Sequence, residues 1–558
     1  MASRILTIGA VGALLVAGWV GFSSFNDGVT AQSDEDASGA IVLHRGNGTE
    51  PSTLDLHRSA GTWENNIIGD MFLGLYTEDP FGSPVFGVAN SHTISDDGLV
   101  HTFTLREDEV WSDGVALTAS DFVFALNRIL DPEMGAEYAS LLYLIENAAP
   151  INAGEDGLTL GVTAIDDHTL EIRLERPAPF LPQLLTHYTT FAVPQHVVLQ
   201  HGDSWSRAGN MVSNGAYVLT DWVPNDHVRV VKNERFFDAE NVQIEEIYYY
   251  PTDDGASALR RFRAGELDLN TDFPIQQNDW LLENMPQERR VAPFIVTSYI
   301  AVNVQEPPFD DIRIRQALAM AIDRDVLAHQ IMGIGQEPAY TLVPPLIPDY
   351  TPARAFFADW SMERRIEEAR TLMRAAGYGP DNPLQFEYRY RESIDNRRLA
   401  VATAAFWAEI FADASLINTE TATHYDDLQS GNFQLGDAGW VADFPDAENY
   451  LFLLDSNSGL LNYGKYNNPE YDALLAQAAA TADLYERAEI LASAEAILME
   501  ELPLFPTIYG VSRNIIGAHV IGWEDNPVDI HRTRYLTIDE SARAVQPNFA
   551  DQIMRWFN

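Results

Sequence analysis

Polar and apolar residues alternate along much of the first half of the chain, and this period of two predicts half-buried β-strands. The segment 161–174 alternates around a central Asp-Asp-His and predicts a hairpin. The segment 216–233 predicts two strands joined at Asn225 and Asp226, because short polar side chains tolerate turn dihedrals. A further strand is expected from Ile41 to Leu43.

A period near 3.6 replaces this alternation in several later segments and predicts helices. Thr118 precedes Asp121 by three residues, which is the spacing of a capping box, and an amphipathic stretch follows to residue 130. One continuous helix is expected over 311–332, and others over 362–376 and 469–482. Helices and strands that mix without strict alternation favour α/β lobes with mixed sheets.

The amino-terminal 22 residues indicate the compartment. The run from Ile5 to Phe22 is apolar and uninterrupted, which suits the apolar region of a signal peptide or a short membrane span, and both place the remaining chain outside the cytoplasm. The small residues before Ala31 favour cleavage there, so residues 1–31 are predicted to be a signal peptide, with an uncleaved anchor as the alternative. Residues 32–39 are predicted to be a flexible acidic segment.

Composition limits the classes of function. The 558 residues are 46% hydrophobic and include no Cys, so the chain can bury a large core but cannot form a disulfide, a thiolate metal site or a lipidated cysteine. The 82 acidic and 35 basic residues give a formal charge of −47, which opposes binding to nucleic acid or anionic lipid. We interpret this charge mainly as a solvated acidic coat, with attraction of cationic ligands as an alternative.

Motif searches argue against the common hydrolases. The chain has no G-x-S-x-G, no H-E-x-x-H and no phosphate-binding glycine loop; the sequence at 202–206 lacks the closing Gly. The 13 His residues include no pair at i, i+4 spacing, so no metal and no cofactor are expected. An exported chaperone or scaffold remains an alternative of another class.

The stretch 436–450, GDAGWVADFPDAENY, carries the main candidate for ligand chemistry. It sets Asp443 near a Trp in a segment whose glycines predict a loop or strand end. A carboxylate in such a place could receive an ammonium group, or could simply bond the backbone N–H groups of a turn.

Six ordered segments resemble one known family. They are residues 87–122 with W-S-D-G and T-A-S-D-F, and then VTAIDDHTLEIRL, VSNGAYVLTDW, PPFDDIRIRQALAMAIDRD, AGWVADF and NYGKYNNPEYDALLAQA. The chain is therefore similar to the extracytoplasmic solute-binding proteins of ABC importers, in the peptide and nickel class known as family 5. Within that family the oligopeptide-binding proteins are most similar.

The resemblance implies an α/β, type II periplasmic-binding-protein fold, a two-lobed clamp with an additional domain. Its implied boundaries are 40–72, 196–297 and 510–545 for domain I, 73–195 for the extra domain II, 298–509 for domain III, and 546–558 for a carboxy-terminal extension. The extension carries Phe549, Ile553, Trp556 and Phe557 near helical spacing, and we expect it to dock on the body.

The resemblance also implies a function without enzymatic activity. The protein would be a periplasmic monomer that captures oligopeptides between its lobes and delivers them to an ABC permease of the inner membrane, without binding nucleic acid. A nickel chelate, an opine or an oligosaccharide is the alternative ligand.

The implied ligand-binding residues are carried over one at a time. Asp443 would pair with the peptide α-ammonium, Gly439 and Val441 would pair with its backbone as an added strand, and Tyr138 would bond that backbone too. Trp440 would wall a side-chain pocket or serve as core. Asn462 and Tyr509 are weaker candidates.

The chain departs from the family where better-known members hold the ligand carboxylate with cations. Those positions here are Asp437, Met332 and Asn396, and three arginines nearby could substitute: Arg389, Arg391 and Arg397. Asp437, taken as close to Asp443, would repel an anion. The hypothesis is a preference for basic, amidated or longer peptides whose carboxyl end protrudes.

Overall fold

The computed structural model describes residues 40–543. Its α-helices are α1 Thr62–Met71, α2 Ala119–Ile129, α3 Ala148–Asn152, α4 Leu181–Leu184, α5 Gln195–His201, α6 Gly255–Arg263, α7 Asn278–Asn284, α8 Ile312–Ala321, α9 Met362–Ala375, α10 Ile394–Ala408, α11 Thr421–Ser430, α12 Glu448–Leu451, α13 Pro469–Ala479, α14 Leu484–Glu501 and α15 Glu540–Arg543.

The strands are β1 Val42–Gly46, β2 Tyr76–Glu78, β3 Pro84–Phe86, β4 Ala89–Ile94, β5 Val100–Leu105, β6 Val162–Asp166, β7 Thr169–Arg173, β8 Tyr217–Val223, β9 His227–Lys232, β10 Glu246–Tyr250, β11 Leu269–Asn270, β12 Arg289–Val302, β13 Glu337–Pro338, β14 Leu384–Arg391, β15 Ala412–Thr419, β16 Leu435–Val441, β17 Leu504–Ile516, β18 Val520–Ile521 and β19 Thr537–Ile538.

One mixed sheet runs through the body in the order β15-β14-β16-β12-β17-β11-β1-β10-β9-β8, with β13 added on β17. The pair β12 and β17 lies near its middle, and these two long antiparallel strands belong to both halves. Their register shifts between Pro293 and Thr297, where β12 inserts extra residues, and again after Ser298. Such bulges bend and twist a strand pair locally, so the sheet changes direction here.

A separate four-stranded sheet, in the order β4-β5-β7-β6, lies in the predicted domain II, and β2-β3 and β18-β19 form two small two-stranded sheets. The apolar core divides accordingly. One cluster extends mainly from Leu43 to Tyr249, a second from Ile295 to Ile508, and a small third surrounds Phe262 and Leu281. The second cluster lies within the predicted domain III except for Ile295, while the first joins parts of the predicted domains I and II. The exact domain boundaries stay a prediction.

Local patterns predicted several elements correctly. The hairpin β6–β7 and the pair β8–β9 are present, with Asn225 at φ 62° in the second turn. The capping box of Thr118 and Asp121 opens α2. Helix α9 ends before Gly377, which has φ 97°. Short-range chemistry decides such features, so they can be read from the sequence.

The expected continuous helix over 311–332 is wrong. Helix α8 ends at Ala321, Ile322 is extended, and a π-helical turn follows over Val326–Met332. Between the two segments, Arg324 turns inward, with 1% of its surface exposed. Its guanidinium donates to the carbonyls of Ala319, Ile322, Ala339 and Pro506 at 2.8–3.2 Å. A buried cation that bonds four carbonyls fixes the break, and the apolar periodicity does not reveal it.

The predicted signal peptide or anchor at 1–31, the acidic segment 32–39 and the extension 546–558 lie outside the described residues. Among the described helices, none combines the length and apolarity required to cross a bilayer.

We expect Arg324→Met to destabilise the protein by about 3 kcal/mol, because four buried carbonyls would lose their donor. Burial lowers the pKa of Arg324 to about 10, so the native guanidinium remains charged at neutral pH. Urea unfolding at pH 7.5 measures the effect. Arg354→Met, at a half-exposed ion pair with Asp359, is the control and should change stability by less than about 0.5 kcal/mol. Equal effects of both substitutions would contradict the assignment.

Candidate functional site

A cavity of about 590 Å³ opens where the three predicted domains meet. Its volume falls in the usual range for small-molecule and peptide sites. All three predicted domains contribute lining residues. Domain I contributes Asn47, Trp63, Asp253 and Asp529 among others, domain II contributes Glu78, Tyr138 and His187, and domain III contributes Val441, Asp443 and Phe444. The site is therefore assembled by tertiary structure from distant parts of the chain.

Asp443 lies in this cavity, two residues beyond the end of β16. Its Oδ2 accepts from Asn449 Nδ2 at 3.4 Å, and among the described residues it has no ion-pair partner. Burial raises the pKa of Asp443 to about 6, and the hydrogen bond from Asn449 opposes that rise. The site thus holds a desolvated carboxylate that only weak neutral donors compensate, which is the environment that a cation would relieve.

Asn449 orients this region. Its Oδ1 accepts from Asp443 N at 3.0 Å and from Trp440 Nε1 at 2.9 Å. The Trp440 ring also packs edge-on against Phe452, with centroids 5.5 Å apart. Trp440 is not among the cavity-lining residues, so it supports Asn449 from behind the site.

The segment that follows Asp443 is clamped from two sides. Phe444 stacks on Phe180 of the predicted domain II, with centroids 5.0 Å apart and planes 8° apart. Glu448 forms ion pairs with Arg176 at 2.6 Å and with Arg487 at 2.7 Å. Arg487 also donates two hydrogen bonds of 2.8 Å to the carboxylate of Asp446. These contacts link domains II and III directly beside Asp443.

Tyr138, which belongs to the predicted domain II, also lines the cavity. Its ring packs on His187 at 4.7 Å and on Tyr188 at 6.4 Å. Burial raises the pKa of Tyr138 to about 12, with a smaller contribution from the negative charge of Asp443, and both side chains line the same cavity. The phenol is therefore a neutral donor or acceptor at neutral pH.

His187 was missed by the sequence reasoning. It lines the cavity, and burial lowers its pKa to about 3, with a smaller contribution from Arg532. A single His in the segment 186–190 carries no motif, so no local signal could have assigned it.

The edge of β16 near the cavity is open. Strand β14 pairs only with Leu435 and Gly436 of β16, and β12 covers the opposite edge as far as Val441. Beyond Asp437, whose Oδ1 accepts from Arg391 N at 2.7 Å, no described strand pairs with this edge. Gly439 lies on that stretch, and Val441 is 47% exposed and lines the cavity. An extended chain could pair here by strand addition.

Asp437 does not lie in the cavity with Asp443, although the sequence analysis takes the two carboxylates to be close together. It forms an ion pair with Arg391 at 2.9 Å and lies 3.2 Å from His424. Along β16, Asp437 and Val441 are separated by about 13 Å at roughly 3.3 Å per residue, and Asp443 lies beyond. Tertiary structure causes this difference, because Arg391 on β14 reaches Asp437 and neutralises it.

The remaining candidates lie elsewhere. Asn462 is buried and bonds the backbone of Tyr466 and Asp455, and Tyr509 on β17 bonds Thr341; neither lines the cavity. Arg389 pairs with Asp427 at 2.8 Å, and Arg397, Met332 and Asn396 do not line the cavity. A direct ligand role of these residues stays a prediction.

Within residues 40–543, no three His, Cys, Asp or Glu side chains lie together in an arrangement that could hold a metal ion.

We expect Asp443→Asn to stabilise the ligand-free protein by about 1–3 kcal/mol at pH 7.5. The folded-state pKa of Asp443 lies above its ordinary value of 3.8, so the ionised carboxylate destabilises the fold as pH rises through about 6. The gain from the substitution should therefore shrink between pH 7.5 and pH 5, as measured by urea unfolding. Asp359→Asn, at an 84% exposed side chain, should show no such trend. A destabilised Asp443→Asn variant at pH 7.5 would contradict this account.

The family model described as bacterial extracellular solute-binding proteins, family 5 Middle, matches residues 83–462. The chain is 35% identical over 503 residues to the periplasmic oligopeptide-binding protein OppA of Escherichia coli K12, covering 89% of this chain and 92% of that protein. It is 36% identical over 502 residues to the probable deoxycholate-binding periplasmic protein YgiS of the same strain, covering 89% and 93%.

Among solved structures, Haemophilus influenzae OppA in complex with RPPGFSPFR matches with a TM-score of 0.76 and 33% identity, covering 90% of this chain and 99% of that one. This match confirms the predicted two-lobed type II fold with multiple domains. The family match spans more than half of the sequence, and it confirms the resemblance seen in the motifs. The chain belongs to family 5 of the bacterial extracellular solute-binding proteins.

Proposed function

We propose that this protein captures oligopeptides in the cavity between its lobes and delivers them to an ABC permease. The observation that carries the proposal is the carboxylate of Asp443, which lacks a described cation partner and lies just past an open strand edge. A peptide supplies both complements at once, an α-ammonium and a backbone that can pair with β16.

The energetic argument favours an ammonium at Asp443. A charge-assisted hydrogen bond contributes about 1.5–3 kcal/mol, and the ligand would also return the carboxylate to a compensated state. Pairing through the backbone near Gly439 and Val441 does not depend on ligand side chains. The combination suits a binder of many peptide sequences.

The names of the relatives alone do not identify the ligand of this protein. OppA of Escherichia coli is named for oligopeptides, whereas YgiS, at similar identity, is named as probably deoxycholate-binding. The bile acid carries a carboxylate, and Asp443 would repel it at neutral pH. The charge in the cavity therefore supports a peptide.

We propose that the protein resides in the periplasm, like its named relatives, and that it acts as a monomer without enzymatic activity. Ligand contacts to both sides of the cavity would favour closure, and the permease would recognise the closed form. The contacts of Phe180 and Arg176 with the segment after Asp443 would form part of that closed interface.

Calorimetry with an amidated alanine pentapeptide tests the proposal. We expect binding to the native protein and a loss of at least about 30-fold in affinity on N-acetylation, because the ammonium disappears. Asp443→Asn should weaken binding similarly and should no longer distinguish the two peptides. Asp359→Asn is the matched control and should bind like the native protein. Binding of deoxycholate but not of the peptide would refute the proposal.

The affinity should fall at acid pH. Asp443 must be ionised to bind the ammonium, and its pKa in the ligand-free protein is about 6. At pH 5 the free protein is mostly protonated at this position, so we expect peptide binding about tenfold weaker than at pH 7. Residual binding by Asp443→Asn should lack this dependence. Affinity that stays constant or increases between pH 7 and pH 5 would count against Asp443 as the ammonium-binding residue.

A further inference from the structure

The cavity has an unusual charge balance. Five carboxylates line it, those of Glu78, Asp253, Asp272, Asp443 and Asp529, and among the described lining residues there is no Lys and no Arg. The formal charge of the lining is therefore strongly negative before partners behind the wall are considered.

Two of these carboxylates are neutralised from behind. Glu78 makes a two-pronged pair with Arg532, with bonds of 3.1 Å. Asp272 pairs with Arg513 at 3.0 Å. Both pairs leave little net charge toward the cavity, and we assign them a structural role.

Within residues 40–543, Asp253 and Asp529 resemble Asp443 in having only neutral donors. Asp253 is exposed toward the cavity and accepts from the Thr49 hydroxyl at 2.7 Å. Asp529 accepts from Asn514 Nδ2 at 2.8 Å and contacts His531 at 3.0 Å. Burial lowers the pKa of His531, so that ring is neutral at pH 7 and does not offset the charge of Asp529.

The aromatic part of the lining supports a cationic occupant. Near Asp253, the segment 47–49 connects to Trp63 through the bond from Asn47 Nδ2 to the Trp63 carbonyl. Trp63 also lines the cavity, and aromatic surface beside a carboxylate suits the apolar stem and charged head of a Lys or Arg side chain.

We infer that Asp253 and Asp529 are specificity-determining residues that select peptides with basic side chains in addition to the amino terminus. This inference rests on the proposed function and narrows it to a substrate class. A Glu side chain or a free carboxyl end within the cavity would meet uncompensated carboxylates and no described lining cation. The sequence indicates the same sign of preference through its missing cationic positions and through Asp437, but Arg391 neutralises Asp437.

The test uses amidated alanine pentapeptides with one Lys or one Glu placed at position 2, 3 or 4, titrated into the native protein by calorimetry at low salt. We expect the Lys peptide to bind on the order of tenfold more tightly than the Glu peptide at one position or more. Added salt should reduce the ratio, because the groups are partly solvated.

Asp253→Asn and Asp529→Asn should each lower the Lys-to-Glu affinity ratio, and the double variant should bring it close to one. Asp359→Asn removes the same charge from a distant exposed position and should leave the ratio unchanged. Equal affinities in the native protein, or a ratio unaffected by the double variant, would overturn the inference while leaving peptide capture intact. Failure of even the all-alanine peptide to bind would instead refute the proposed function, and the inference with it.

Discussion

The desolvated carboxylate of Asp443 is the constraint on which the site depends. Its side chain is half-buried, its described surroundings supply no cation, and burial raises its pKa to about 6. Holding it there costs folding free energy, which the rest of the body must offset through packing. Asn449, Trp440, Phe180 and Arg487 all act on the short segment that carries it. A ligand with a cationic group would offset this cost on binding, and the offset would add to the free energy of binding.

The position of that segment depends on the long strands β12 and β17. The bulge in β12 presents the carbonyl of Ile295, which accepts from Ala442 N at 3.0 Å and from the Tyr450 hydroxyl at 2.8 Å. The residue next to Asp443 is thus bonded to the strand pair that joins the two halves of the sheet. A change of angle at this pair would move Asp443 relative to Tyr138, and it would thereby couple occupancy of the cavity to the arrangement of the predicted domains.

Charge determines what the cavity can accept, and burial of partners determines which charges matter. Of the carboxylates that line it, Glu78 and Asp272 have guanidinium partners, whereas Asp443, Asp253 and Asp529 have only neutral donors among the residues that the structure describes. The formal charge of −47 says little about this difference. Most of that charge can be a solvated coat, whereas the few cavity carboxylates without a described cation partner would bear on selectivity.

The sequence by itself determined the hairpins, the capping box of Thr118, the family resemblance and the choice of Asp443, because each depends on neighbouring residues or on a contiguous motif. Only the tertiary structure decided the break at Arg324, the neutralisation of Asp437 by Arg391, and the placement of His187, Asp253 and Asp529 in one cavity. Those features depend on contacts between residues tens to hundreds of positions apart. A chain's local pattern does not encode which distant carbonyl, guanidinium or carboxylate will face a given side chain, since packing of the whole body decides it.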